Sequence, residues 1–310
     1  MKLAQLRDLM AIVEYGSLRA AARQTDTPQP ALTRSLGALE KELGVALFNR
    51  EPRGMALTPN GQRFYQRASA IVHEARRALD EIAQQQGDDQ GELIVALSIM
   101  PHVGMLPHAL GRFRQRFPNV RLRIIEGLFP DVEARLRNGE IDFYLGAAPR
   151  IAPAPGLQTR VLFENTRTVL GRKGHPLARA SSLKQLSGAE WATTSIDYNI
   201  VEDLETLFAR HKLTAPRVMV QTQSALSLMV VLAYSDLLAL LPRQWQDFPL
   251  TRNALQPIAV REPLPAPPIV MIKRPDLPLT PAADHFCDVM CRFGADPVKL
   301  RPRGRGAGDL

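Results

Sequence analysis

The run from Thr58 to Gln86 constrains the fold of this chain more than any other segment. Thr58 is a good N-cap and Pro59 suits the first helical position, so a helix opens there and runs about 42 Å. Phe64, Ala68, Ile71, Ala75, Ala78 or Leu79, and Ile82 alternate spacings of four and three. That is a heptad seam sustained for nearly three heptads, and a long helix with few globular neighbours pairs with its own copy. Packing onto its own head accounts for the first turns but not for the far end. The seam therefore predicts pairing into a homodimer or, by pairing of dimers, a homotetramer, and a two-fold dimer predicts a palindromic DNA site. Gly87-Asp88-Asp89-Gln90-Gly91 follows as a hinge.

Before the helix the pattern is helical and compact. Leu3, Leu6, Met10 and Val13 form one apolar stripe, and Ser17 caps a second short helix rich in alanine. Thr25-Asp26-Thr27 makes a turn. Pro28 fits the first position of a third helix with Thr27 as its cap, and Gly44 stands where that helix should end. On the third helix Leu32, Leu36, Leu39 and Leu43 share one face. Pro30, Thr33, Arg34, Gly37 and Lys41 take the opposite side, with Gln29 at its edge. Three helices in this order read as a helix-turn-helix, and the outer face offers groups that read base edges or hold phosphates. Leu47 to Thr58 reads as a small hairpin, with Arg50 and Arg53 placed to grip the backbone of double-stranded DNA. Any one of these residues alone would pass for a solvated helix surface; the constellation is more specific than its members.

Three strings carry a resemblance. Gly16-Ser17-Leu18-Arg19-Ala20-Ala21-Ala22, Gln29-Pro30-Ala31-Leu32-Thr33-Arg34, and Leu39 through Arg50 are similar to the LysR-type transcriptional regulators, as is the later Leu57-Thr58-Pro59-Asn60-Gly61. The similarity is dense over residues 1–65 and diffuse but collinear to about residue 294. It implies DNA contacts by Gln29, Pro30, Thr33 and Arg34, and wing contacts from Arg50 and Arg53. The family usually has apolar residues where Thr25 and Thr27 stand, and a serine or threonine in place of Pro28, which puts that position's base preference in question.

After the hinge, strands alternate with helices. Glu92–Ser98, Val120–Glu126 and Ile141–Gly146 read as strands, with helices at Leu106–Phe117 and Pro130–Asn138 between them. This βαβαβ order predicts a parallel sheet. A second such stretch runs from about Leu162 to Ala259, with helices near Ile200–His211 and Ala225–Tyr234 and strands at Arg217–Gln221 and Leu237–Leu241. The proline-rich Glu262–Pro268 marks a crossing back, and Ile269–Lys273 with a helix Pro281–Phe293 completes the first lobe. The expected fold class is α/β with an N-terminal all-α winged helix-turn-helix, a long linker helix and a two-lobed, periplasmic-binding-protein-like effector domain. The expected divisions are a DNA-binding head over 1–58, a dimerisation helix over 59–87, an effector domain over 88–300 and a basic, disordered tail over 295–310. Within the effector domain, lobe one takes about 91–161 and 266–294, and lobe two about 162–265.

Ligands of open α/β sheets bind beyond the carboxyl ends of strands, near helix N-termini. That rule selects Ser98, Met100 and Pro101, then Gly127 and Phe129, then Gly146, Ser195, Asn199 and Gln223 as effector contacts. Hydroxyls and N–H groups at helix starts favour a small organic anion, with Met100, Phe129 and Phe143 as apolar walls. An aromatic carboxylate or sulfonate fits this reading. Ser98 reads equally well as a plain N-cap.

Composition agrees. Of 310 residues, 45% are hydrophobic and 23% charged, which excludes large-scale disorder. No apolar run reaches the roughly 18 residues needed to span a bilayer, and no secretory leader stands at the start, so a cytoplasmic protein without membrane contact is expected. The net charge of +8 favours an anionic partner. Much of it is local: residues 1–87 hold twelve basic and nine acidic side chains, and the last dozen hold four and one. Neither dinucleotide nor phosphate-loop fingerprints appear, no Ser-His-Asp set can be argued from spacing, and the six histidines lack ligand spacing apart from His102 near His108. No enzyme, cofactor or metal site is therefore expected. Two alternatives stay open: a redox-responsive regulator using Cys287 and Cys291, and a binding protein or enzyme with an incidental DNA-binding head. The two cysteines stand four apart on one helix, where facing Cβ atoms lie about 5–6 Å apart, too far for an undistorted disulfide. They read more readily as core residues.

Overall fold

The computed structural model describes residues 1–51, 54–129, 131–194, 200–275 and 278–294. The chain divides into two compact units, Met1–Asp88 with Arg135–Ile141, and Asp89–Ala134 with the chain from Asp142 onward.

The first unit opens with α1 (Leu3–Tyr15), α2 (Leu18–Gln24) and α3 (Gln29–Leu43), followed by β1 (Phe48–Glu51), β2 (Gly54–Leu57) and α4 (Pro59–Gln85). Leu6, Leu9 and Ile12 of α1 interlock with Leu32, Leu36 and Leu39 of α3 and with Ala68 of α4. Ser17 caps α2 by accepting the Ala20 N–H at 3.1 Å. Thr58 caps α4 by accepting the Gly61 N–H at 2.9 Å, and Gly44 ends α3 in the left-handed conformation. One expected cap is absent. Pro28 is itself the residue before α3, with φ −56° and ψ 135°, and the Thr27 hydroxyl donates to the Thr25 carbonyl at 3.2 Å instead. The helix starts one residue later than the sequence suggests because proline holds extended backbone as comfortably as a first helical turn.

Beyond Ala68 the buried residues of α4 are polar: Ser69, Arg77 and Gln84. Arg77 pairs with Glu74 at 2.7 Å and donates to the Gly139 carbonyl at 2.6 Å. The apolar positions Ile71, Leu79 and Ile82 are left 45%, 64% and 57% exposed.

The second unit holds two lobes, with three sheets among the described residues. The first lobe consists of β3 (Gly91–Leu97), α5 (Ile99–Gly104), α6 (Leu106–Arg116), β4 (Val120–Glu126), α7 (Glu133–Arg137, its last residues counted with the first unit), β5 (Phe143–Ala147) and β6 (Gln158–Phe163). After the second lobe, β12 (Ile269–Lys273) and α10 (Pro281–Gly294) return to it, giving the strand order β4-β3-β5-β12-β6. The sheet is mixed rather than wholly parallel. β3 is parallel to β4 and β5, but β12 runs antiparallel to β5 and β6. The reason is connectivity: the chain re-enters with Ile269 opposite Ala147, at the carboxyl end of β5, and can only run back. A core of Leu93, Val95, Phe113, Phe143, Phe286 and Met290 fills this lobe.

In the second lobe β7 (Arg167–Arg172) is flanked antiparallel by β10 (Ala239–Pro242) and β11 (Leu255–Ile258), and β8 (Glu190–Thr194) pairs in parallel with β9 (Arg217–Thr222). Helices α8 (Ile200–Arg210) and α9 (Ala225–Ala233) cover them. Trp191 is fully buried with its ring edge-on to Phe208, centroids 5.8 Å apart.

Candidate DNA-binding face and effector cleft

The leucine face of α3 leaves Gln29, Pro30, Thr33 and Arg34 together on the exposed side. Pro30 lies in the first turn, where its missing N–H has no partner to lose. The Thr33 hydroxyl donates to the Gln29 carbonyl at 2.9 Å, so its remaining lone pairs point outward as acceptors. Beside it the Arg34 guanidinium can take a guanine edge or a phosphate, and the Gln29 amide an adenine edge.

The hairpin β1–β2 is tied to the helices through its backbone N–H groups and that of Leu47 before it. Glu40, on the buried flank of α3, accepts the N–H groups of Leu47 and Phe48 through one oxygen, at 2.7 and 3.3 Å. Across the hairpin the Met55 N–H donates to the Gly16 carbonyl at 2.9 Å. Gly54 makes this approach possible. Its φ is +141°, and a Cβ there would sit 2.4 Å from the Gly16 oxygen. Ser35 adds a hydrogen bond to Asp8, joining α3 to α1. Arg50 stands on β1 opposite Met55. Its side chain and the whole of Arg53 lie outside the described residues.

In the second unit, a cavity of about 100 Å³ lies where strands of both lobes end. Ser98 and Ile99 line it from the start of α5, and Glu126, Gly127, Leu128 and Asp131 from the end of β4 and beyond. Thr194 closes β8, while Thr222, Gln223 and Ala225 join β9 to α9. The Ser98 side chain does not cap α5. Its oxygen accepts the Ala147 N–H at 3.3 Å, which leaves the hydroxyl hydrogen available to the cavity. Beneath it Tyr144 is fully buried and donates to the Ala147 carbonyl at 3.1 Å. Gly146 has to be glycine, because a Cβ would fall 2.1 Å from the Tyr144 hydroxyl oxygen and 2.7 Å from that of Ser98. The Thr222 hydroxyl donates to the Ser224 carbonyl at 2.9 Å, and Ser224 caps α9.

Two family models match the chain. The bacterial regulatory helix-turn-helix protein of the lysR family covers residues 3–62, and the LysR substrate binding domain covers residues 86–293. The chain is a LysR-family transcriptional regulator. A regulator named LrrA from Synechococcus elongatus is 35% identical over 69% of this chain and 71% of its own length. The SDS degradation transcriptional activation protein of a Pseudomonas strain is 26% identical over 77% of this chain and 78% of its own. Among solved structures, CbnR superposes with a TM-score of 0.70 over 96% of this chain and 100% of its own, at 23% identity, which speaks for the fold. A DNA-binding head and a small-molecule effector domain are thus what this LysR regulator is built from, and it is not an enzyme. The reading of an enzyme or binding protein with an incidental head is overturned, since the two matches account for both units together. No helix among the described residues is long and apolar enough to cross a membrane.

Of the effector residues expected from the sequence, Ser98, Gly127 and Gln223 line the cavity. Met100 and Pro101 turn instead into the packing beneath α5. Phe129 is 2% exposed and rests on Tyr144, with ring centroids 5.7 Å apart, and Phe143 is buried in the lobe core. The apolar walls come from Ile99, Leu128 and Ala225. Gly146 lies one layer below, and Ser195 and Asn199 fall outside the described residues. The sequence reading missed Glu126, Asp131, Thr222 and Ala225. Glu126 and Thr222 are the terminal residues of β4 and β9, so counting the last strand residue as well as the loop after it would have found both.

Proposed function

We propose that this regulator grips a palindromic promoter site as a dimer or tetramer, with Gln29, Pro30, Thr33 and Arg34 entering the major groove. Arg50 and Arg53 of the wing hold the neighbouring backbone, and residues 59–87 pair two copies through Ile71, Leu79 and Ile82. The single observation that carries this reading is the exposure of four polar or groove-compatible residues on one face of α3, opposite the buried Leu32, Leu36 and Leu39. Footprinting on the DNA beside its own gene tests it. Protection of two half-sites about one helical turn or a multiple apart, weakening with salt, is expected.

The effector of this reading is a small organic acid in the cleft over residues 98–99, 126–131, 194 and 222–225. Its carboxylate or sulfonate meets the N–H groups at the starts of α5 and α9, with the Ser98 hydroxyl as a further donor. Glu126 and Asp131, which line the same cleft, suit a hydroxyl or ammonium on the same molecule rather than a second anionic group. Ligand bridging the lobes biases their closure, which shifts the dimer between DNA-bound geometries. A melting-temperature screen against small organic acids, with and without such a donor group, tests this. A true effector at a hundred times its Kd stabilises the native state by about 2.7 kcal/mol. Ser98→Ala and Thr222→Val should each reduce that shift without changing DNA binding.

A further inference from the structure

Cys287 and Cys291 face each other on α10 with their sulfurs 4.0 Å apart. Cys287 is buried, in reach of the Met271 sulfur at 2.9 Å, while Cys291 is partly exposed near the end of the helix. The Arg160 guanidinium, on the edge strand β6, reaches the Cys291 sulfur at 3.6 Å. An open cavity of about 350 Å³ adjoins, lined by Arg160 and Lys273 on the strands and by Asp284, Cys287 and Asp288 on α10. Two thiols, a guanidinium and solvent access thus meet at one surface point, remote in sequence from every residue assigned to DNA or effector.

We propose that Cys291 is a modification site: a nucleophilic thiolate held by Arg160 that reduces hydroperoxides, with Cys287 as the thiol that resolves the product. In the first step the Cys291 thiolate attacks a peroxide oxygen. An S–O bond forms, the O–O bond breaks, and hydroxide leaves; the sulfur is oxidised by two electrons and the peroxide reduced. In the second, the Cys287 sulfur gives up its proton and attacks the Cys291 sulfur. An S–S bond forms, the S–O bond breaks, and the hydroxyl leaves with the proton as water.

The electrostatics assign the roles in this order. Donation from the Cys287 thiol, aided by Arg160, lowers the Cys291 pKa to about 7 against the opposing pull of burial. The same shared hydrogen bond and burial hold Cys287 protonated, so it is the second thiol to react. Lys273 adds positive charge nearby, while Asp284, Asp288 and Arg292 on α10 offset one another in part. The geometry supplies the consequence. At this helical spacing Cβ atoms must close from about 5–6 Å to roughly 3.5–4.5 Å, so the last turn of α10 has to tighten or open. α10 packs on α5, the helix whose first residues line the effector cleft.

Mass spectrometry of the reduced full-length protein tests the site, using iodoacetamide and hydrogen peroxide as probes. Iodoacetamide should label Cys291 at pH 7 about threefold faster than a free-cysteine peptide, the thiolate gain outweighing the lower nucleophilicity of a more acidic thiol, and Cys287 far more slowly. Stoichiometric peroxide should remove two hydrogens' mass per chain, reversibly with dithiothreitol. Cys287→Ser should trap a dimedone-reactive Cys291, and Arg160→Gln should move the labelling midpoint to higher pH. The proposal is overturned if Cys291 labels no faster than Cys287, if Arg160→Gln leaves the midpoint in place, or if peroxide spares both thiols while oxidising methionine. None of these readouts requires DNA or effector binding.

Discussion

Glu40 carries two tasks for one carboxylate. It sits on α3, yet one of its oxygens accepts the N–H groups of Leu47 and Phe48, where the chain enters β1. Charge-assisted bonds of this kind contribute more than neutral ones, and removing the acceptor leaves two partly buried donors unpaired. Glu40→Ala should therefore cost about 1–3 kcal/mol, and Glu40→Gln less, because the amide oxygen can still accept. Thermal unfolding of the head should show the difference. A greater loss of DNA affinity than of stability is also expected, since the wing loses its fixed angle to α3. Gly54 is the counterpart on the far side of the hairpin, where only a residue without Cβ can bring the strand against Gly16. At Cys291 the residue-scale expectation is a labelling rate that rises through pH about 7 as the thiolate forms.

At the scale of an element, α4 shows why a hydrophobic pattern has to be read with its partner in mind. Its large apolar heptad residues past Ala68, Ile71, Leu79 and Ile82, are exposed, and the residues buried within the unit are polar. A Leu or Ile fully buried across a dimer contributes about 1.5–3 kcal/mol, and a two-fold axis counts each position twice. Leu79→Ser with Ile82→Ser should weaken dimerisation by at least two orders of magnitude in Kd. Sedimentation at micromolar concentration would show a monomer; a dimer as stable as the parent would mean the copies meet elsewhere. The recognition helix was legible in the sequence because its leucines repeat at helical spacing and its glycine stop is strong. The start of that helix was not, since Pro28 suits two backbone conformations and only packing chooses between them, so the expected Thr27 cap does not form.

At the scale of the whole molecule, the order of strands and helices after residue 90 sufficed to anticipate two α/β lobes. The direction of β12 did not follow from it, because a five-residue apolar strand reads the same in both directions. The candidate cleft was legible in part. Strand ends pointed to Ser98, Gly127 and Gln223, while Met100 and Phe129 turned inward because large apolar side chains at a lobe's surface are worth more in its core. Glu126 escaped a rule that began at the loop after each strand, because it is itself the last residue of β4. A two-module regulator also predicts separable losses. Substitutions at the cleft should abolish ligand-induced melting shifts and leave DNA affinity in place, and substitutions on α3 should do the opposite.

The most direct measurement is the affinity of the full chain for its flanking promoter DNA as a function of salt, set beside that of Arg34→Ala. Arg34 is exposed, so the variant should melt at the parent's temperature and keep its response to effector. Its preference for promoter over unrelated DNA should collapse, with about 1–3 kcal/mol of discrimination lost per half-site. If Arg34→Ala binds the promoter as selectively as the parent, or if the parent itself shows no salt-dependent preference, the α3 face is not what reads the DNA.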